Sequence, residues 1–122
     1  MSNSVPKHAA VWFEIPVSDM ARSKAFYAAV LQGDLTDMEG PNPMARFAAL
    51  DQDSVAGHIY PGKPAEAGSG PTIHLAVPSS VEEAMQRVTE NGGTVVSPVI
   101  EIPAGRFAYY LDPDGNSIGL FN

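Results

Sequence analysis

The chain has 122 residues, the usual size of one domain, and is long enough to bury a core without crosslinks. Hydrophobic residues make up 44% and charged residues 17%, which excludes a disordered chain, and the lack of cysteine excludes disulfides, thiolate metal sites and a cysteine nucleophile. A net charge of −7, with 14 acidic residues against 7 basic and no basic cluster, argues against nucleic-acid binding; the acidic surface serves solubility and tolerates cationic small molecules better than anionic ones.

The first residues, MSNSVPKHAAV, lack the charged start and apolar run of a signal peptide, and no apolar stretch is long enough to span a bilayer. The expectation is a cytoplasmic protein with no membrane partner.

A first strand is expected over Val11–Val17, rich in aromatic and β-branched residues and closed by Ser18-Asp19. A helix follows from Met20 to about Leu31, with Ser18 or Asp19 as cap, a stripe of Ala21, Ala25, Phe26, Ala29 and Val30, and a stop at Gly33. Three short strands fit at about 34–38, 44–50 and 54–60, separated by Gly40-Pro41-Asn42-Pro43 and Asp51-Gln52-Asp53. Residues 61–71, dense in Pro, Gly and Ala, read as a linker.

The pattern then restarts. Thr72–Val77 is a strand, and Ser79 with Glu82, and Ser80 with Glu83, stand at capping-box spacing before a helix that runs to about Glu90 and stops at Asn91-Gly92-Gly93. Strands follow at about 94–101, 106–111 and 117–121, the last two joined by the turn Asp112-Pro113-Asp114-Gly115-Asn116. That segment has the look of a calcium-loop fragment but lacks the later ligands, so it is read as a turn. Trp12 and Thr72, Val17 and Val77, and Gly33 and Gly92 all recur roughly 60 residues apart, the mark of a duplication. The expected fold is α+β: one domain of two tandem βαβββ modules, residues 8–60 and 72–122, whose sheets form a curved half-barrel around a cleft.

Three segments carry a family resemblance: Val11–Met20 with Ala25-Phe26-Tyr27, then Asn91-Gly92-Gly93, then Asp112–Leu120. Together they resemble small members of the glyoxalase/bleomycin resistance/dioxygenase (vicinal oxygen chelate) superfamily over residues 8–121. The superfamily spans lyases, isomerases, dioxygenases and drug-binding proteins, so the resemblance implies a fold and a cleft rather than one activity. It also implies a homodimer. Its metal-dependent members place His, Gln or Glu at four strand positions facing the cleft. Here those positions fall on Trp12, near Gly57, on Thr72 or His74, and on Gly119. Tryptophan and glycine side chains cannot ligate a divalent ion. The resemblance is therefore to the metal-free branch, and no cofactor is expected, although a divalent metal held by displaced ligands stays open.

Strand alternation adds candidates. If Trp12 faces the cleft so does Glu14, and by the repeat so do Thr72 and His74. Glu14 and His74 become pseudo-symmetric partners, either an acid/base pair or a structural contact. Gly57 and Gly119 are expected to open volume for a guest. His58, next to Gly57, is expected on the opposite face, and His8 at the periphery. Trp12, the only tryptophan, is either a stacking platform or a core residue. Phe47, Tyr109 and Phe121 also lie on expected strands, their facing undecided. Arg106 is either a carboxylate anchor at the cleft mouth or half of a surface salt bridge. The expected protein binds a small organic molecule, aromatic or cationic, through Trp12, Gly57, Thr72, Arg106 and Gly119. The alternatives are a lyase or isomerase using Glu14 or His74, and a metal-dependent lyase or dioxygenase.

Overall fold

A computed structural model describes residues 4–122. Module one comprises β1 (Trp12–Val17), α1 (Met20–Leu31), β2 (Thr36–Met38), β3 (Met44–Arg46) and β4 (Ala56–Pro61). Module two comprises β5 (Ile73–Ala76), α2 (Val81–Glu90), β6 (Thr94–Val95), β7 (Ile100–Ile102), β8 (Gly105–Leu111) and β9 (Ser117–Phe121). Each module makes its own sheet, in the orders β1-β4-β3-β2 and β5-β9-β8-β6, with β7 also pairing with β8. The outer pairs β1·β4 and β5·β9 are parallel and the others antiparallel. The two sheets are open, and β1 and β5 each stand at an edge.

Two expected strands depart most from the structure. The stretch expected at 44–50 ends as a strand at Arg46, and Asp51 then turns the chain by accepting from Asp53 N at 3.0 Å and Ser54 Oγ at 3.1 Å. The stretch expected at 94–101 is split into β6 and β7 around Ser97-Pro98, where proline has no N–H to give the ladder. There the Ser97 hydroxyl accepts from Tyr109 N at 2.8 Å and keeps that donor satisfied.

The helices carry the caps their sequences suggest. Asp19 accepts from Arg22 N at 3.0 Å. Ser80 accepts from Glu83 N and its hydroxyl donates to Glu83 Oε1, both at 3.1 Å, so the second Ser–Glu pair, rather than the first, makes the cap. Glu82 is instead drawn to Arg106.

Strand alternation separates two faces. Ile15 and Val17 of β1, and Leu75 and Val77 beside β9, are buried under the helices, while Trp12, Glu14, His74 and Ala76 lie on the open face. One hydrophobic cluster takes residues from both modules, among them Phe26, Tyr27, Val30, Val88, Ala108 and Tyr110. The Phe26 and Tyr110 rings meet across the modules at 6.1 Å.

The last turn locks the modules together. Asp112 is buried; its Oδ1 accepts from the N–H groups of Asp114 and Asn116, both at 2.9 Å, and its Oδ2 from Tyr27 Oη at 2.6 Å and Asn116 Nδ2 at 2.9 Å. Asn116 Nδ2 also donates to Pro16 O of β1 at 2.9 Å, and Asp114 accepts from Ser18 N at 3.1 Å. Gly115, with φ +86, supplies the left-handed step of this turn. The carboxylates that gave the segment its calcium-loop look are thus already engaged.

Candidate functional site

The edges of β1 and β5 border a cleft of about 580 Å³, closed on one side by Leu31 at the end of α1, by Gly33 just beyond it and by Phe47, Val55 and Ala56. Trp12, Thr72, His74 and Ala76 line it from the two edge strands. Its walls are mostly apolar, as small-molecule sites are. Thr72 is tied to Ser117 by a hydroxyl–hydroxyl bond of 2.5 Å.

On module one the open face holds a hydrogen-bonded group that sequence reasoning did not assemble. The β1·β4 register sets Glu14 beside His58 and Phe13 beside Gly57. His58 therefore shares a face with Trp12 and Glu14, against the expectation from parity. Trp12 Nε1 donates to His58 Nδ1 at 2.9 Å. His58 Nε2 stands 3.2 Å from Glu14 Oε1, a charge contact whose direction falls short of a hydrogen bond. His58 is only 5% exposed, whereas the Glu14 side chain is 65% exposed. Arg46, cross-strand from His58, lays its guanidinium over the Trp12 ring, with Cζ 5.8 Å from the centroid. Because Nδ1 accepts from the indole, the neutral imidazole carries its proton on Nε2.

On module two His74 sits among aromatic rings, with centroids at 5.2 Å to Phe107, 5.6 Å to Tyr109 and 6.2 Å to Phe121. Glu14 is thus partnered by His58, and the expected Glu14–His74 pair gives way to two separate groupings. Tyr109 and Phe121 are settled on the open face, and Phe107 joins them. The alternation of Phe107 and Tyr109 against the buried Ala108 and Tyr110 was the sequence signal for it. Nothing in the sequence pointed to Arg46, and His58 was noticed but given the wrong face, since cross-strand register decides their place.

Three expectations need correction. Gly57 does not face the cleft: a Cβ there would stand 2.5 Å from Phe13 Cδ1, on the helix side, so this glycine admits the Phe13 ring. Gly119 does lie on the open face beside His74, but its space is filled, since a Cβ would meet His74 Nδ1 at 2.2 Å. Neither glycine opens volume for a guest. Arg106 is on the helix side, where it grips Glu82 through two bonds of 2.8 and 3.0 Å and Glu101 at 3.2 Å. The Arg106 hydrogen bond holds the Glu82 carboxyl down at about 2.

The sequence profile of the Glyoxalase/Bleomycin resistance protein/Dioxygenase superfamily matches residues 8–120, and the chain belongs to that superfamily. A glyoxalase/bleomycin resistance protein from Streptomyces sp. CB03234 is 30% identical, with a TM-score of 0.66 over 91% of this chain and 97% of that one. A glyoxalase/bleomycin resistance protein from Albidiferax ferrireducens T118 has the same fold at 24% identity, with a TM-score of 0.71 over 93% of this chain and 98% of that one. The glyoxylase-named CFP32 of Mycobacterium bovis is 28% identical over 116 residues; the match takes in 90% of this chain but only 44% of that protein. The chain thus spans under half the length of this relative.

The metal used by other branches of the superfamily can be tested against the donors present. Among the described residues no three His, Asp or Glu side chains gather into a possible metal site. Trp12 and Gly119 offer no ligand atom, His74 stands apart among aromatic rings, and Glu14 and His58 are only two donors, with the His58 Nε2 lone pair taken up by its proton. This donor set does not fit a divalent metal. Nor, among the described residues, is any helix long and apolar enough to cross a membrane.

Proposed function

We propose that this chain is a homodimeric, cytoplasmic binder of a small organic molecule, aromatic or cationic, which it takes up between the edges of β1 and β5 without a metal. The observation that carries the reading is the cleft of about 580 Å³ with Trp12 and His74 at its two edge strands. Its volume falls within the range typical of small-molecule sites. An exposed indole and an exposed imidazole offer flat surfaces for a ring, and the exposed Glu14 carboxylate favours a positive group nearby. The edge of β2, outside the cleft, leaves backbone donors and acceptors that a second copy would cover. The absence of cysteine suits a reducing compartment.

Trp12 is the only tryptophan, so its fluorescence reports the site directly. Titration with phenyltrimethylammonium and with its neutral isostere tert-butylbenzene should give a saturable change with at least one of them, weakened in His74→Ala. No saturable change from either at millimolar concentration would overturn the reading. Elution as one chain in gel filtration at micromolar concentration would remove the dimer from it.

A second reading, a lyase or isomerase, is favoured by the His58 contact to Glu14. A carboxylate so placed takes a proton from a carbon acid and returns it elsewhere. Deuterium wash-in from solvent into a bound ligand, lost in Glu14→Gln with binding retained, is the expected result. Equal wash-in for the variant and the parent would exclude Glu14 as the base; His74→Gln tests the other candidate in the same way.

A further inference from the structure

The contact between His58 and Glu14 sets two potential metal-ligand atoms side by side. Two ligands of a tetrahedral ion, each bonded at about 2.0–2.2 Å, stand about 3.3–3.6 Å apart, slightly more than here. His58 Nε2 and Glu14 Oε1 stand 3.2 Å apart. The β1·β4 register holds them side by side, the imidazole is buried, and the carboxylate reaches solvent. His58 Nε2 is also a buried nitrogen with no hydrogen-bond partner.

The state of the imidazole is what this geometry turns on. A histidine ligates through a nitrogen lone pair, and its other nitrogen normally carries the proton and donates it outward. Here the outward nitrogen, Nδ1, already receives the Trp12 Nε1 proton at 2.9 Å. Indole nitrogen is a donor only, so this bond cannot reverse. The imidazole proton is forced onto Nε2, the atom that faces Glu14. Coordination at Nε2 would then require either loss of that proton to give an imidazolate, or rotation of Trp12 with loss of its hydrogen bond. A second feature works the same way: the Arg46 guanidinium, cross-strand from His58 and over the Trp12 ring, adds a positive charge on this face.

We infer that Trp12 is a tautomer lock, which keeps a latent divalent-cation site, His58 Nε2 with Glu14 Oε1, closed by holding the imidazole proton on Nε2. Trp12 is thus more than a missing ligand. It replaces a possible donor on β1 and disables the histidine on the neighbouring strand. The same hydrogen bond fixes the indole at the cleft, so the surface offered to an organic guest and the exclusion of metal come from one contact. This deepens the metal-free part of the function proposed above and rests on that part of it alone.

The test uses the whole chain and Co²⁺ alone as probe, read by its d–d absorption and by thermal shift. Trp12→Phe keeps the ring and its stacking surface and removes only the N–H. It should bind one equivalent of Co²⁺ about tenfold or more tighter than the parent, in the range seen when a second partner of a metal-bound histidine is changed. The gain should vanish in Trp12→Phe/His58→Gln. In the parent, long-range ¹⁵N spectra should show His58 Nε2 protonated and Nδ1 as the acceptor. This measurement decides the matter even if Trp12→Phe folds poorly. A proton on Nδ1 in the parent, or Co²⁺ bound by the parent and lost in His58→Gln, would overturn the lock. Failure of a folded Trp12→Phe to gain His58-dependent Co²⁺ would overturn it too. That last result leaves the metal-free reading standing, whereas Co²⁺ bound by the parent through His58 defeats both.

Discussion

Two glycines, Gly57 on β4 and Gly119 on β9, are expected to respond differently to the same added methyl group. In Gly57→Ala the new Cβ would lie 2.5 Å from Phe13 Cδ1, Cγ and backbone O. The backbone oxygen belongs to β1, whose register with β4 sets the open face, so it cannot withdraw without disturbing that ladder. Overpacking of this kind costs about 1–3 kcal/mol, and the upper end is expected here. The stiffer unfolded chain returns about 0.4–1 kcal/mol, which leaves a net loss of about 2 kcal/mol. In Gly119→Ala the obstacle is a side chain, with Cβ 2.2 Å from His74 Nδ1 and 2.6 Å from Cε1. His74 is exposed and free to swing aside, giving up its contacts with Phe107, Tyr109 and Phe121. At the low end of about 0.5 kcal/mol per ring pair, less the chain-entropy gain, the net cost is about 1 kcal/mol. Urea unfolding followed by circular dichroism, with a slope of about 1.5 kcal/mol/M, converts these to midpoint shifts of about 1.3 M and 0.7 M. The decisive measurement is the cycle with His74→Ala. Without the imidazole, Gly119→Ala should be neutral or stabilising by about 0.4–1 kcal/mol. An equal cost of Gly119→Ala in both backgrounds would refute the argument that this glycine exists to admit His74.

The buried tyrosines give a matched pair: Tyr27→Phe loses a hydrogen bond to the buried Asp112 side chain and should cost about 1.5–3 kcal/mol, while Tyr110→Phe removes a hydroxyl without a partner and should be neutral or stabilising by urea midpoint. Similar losses for the two would contradict this. Burial above all holds both phenols well above their ordinary 10, so their contribution is complete below pH 10 and is lost as the pH rises past it, because only the unfolded chain releases the protons. Stability measured above pH 10 should fall by at most about 2.7 kcal/mol per pH unit, and Tyr110→Phe should halve that slope; an unchanged slope would refute the assignment. At the acid end Glu82 is held at about 2 by the Arg106 hydrogen bond, so its contribution is present above the ordinary 4.5 and is lost as the pH falls through about 2. The melting temperatures of Arg106→Leu and the parent should accordingly differ at pH 6 and converge near pH 2, and a difference independent of pH would count against the ion pair.

Much of the fold follows from local pattern. Period-two alternation separated Ile15 and Val17 from Trp12 and Glu14, and Leu75 from His74, and caps at Asp19 and Ser80 marked where both helices begin. The repeat of strand, helix and strands, together with the turn at Asp112–Asn116, was sufficient to suggest the superfamily. These features depend on neighbours within a few residues, so one strand or helix at a time reveals them. Which residues meet at the candidate site does not. Alternation tells which side chains share a face within a strand, but the partner across the ladder is set by register, and a slip of one residue exchanges the faces. Anchoring β4 on Gly57 instead of His58 sent the histidine to the wrong side, and the repeat alone paired Glu14 with His74. Packing of whole modules set Gly57 against Phe13 and Glu14 against His58, because those contacts join strands more than forty residues apart in the chain. Whether a glycine is an opening or a filled socket is likewise a tertiary matter, decided by which ring occupies the space its missing side chain leaves.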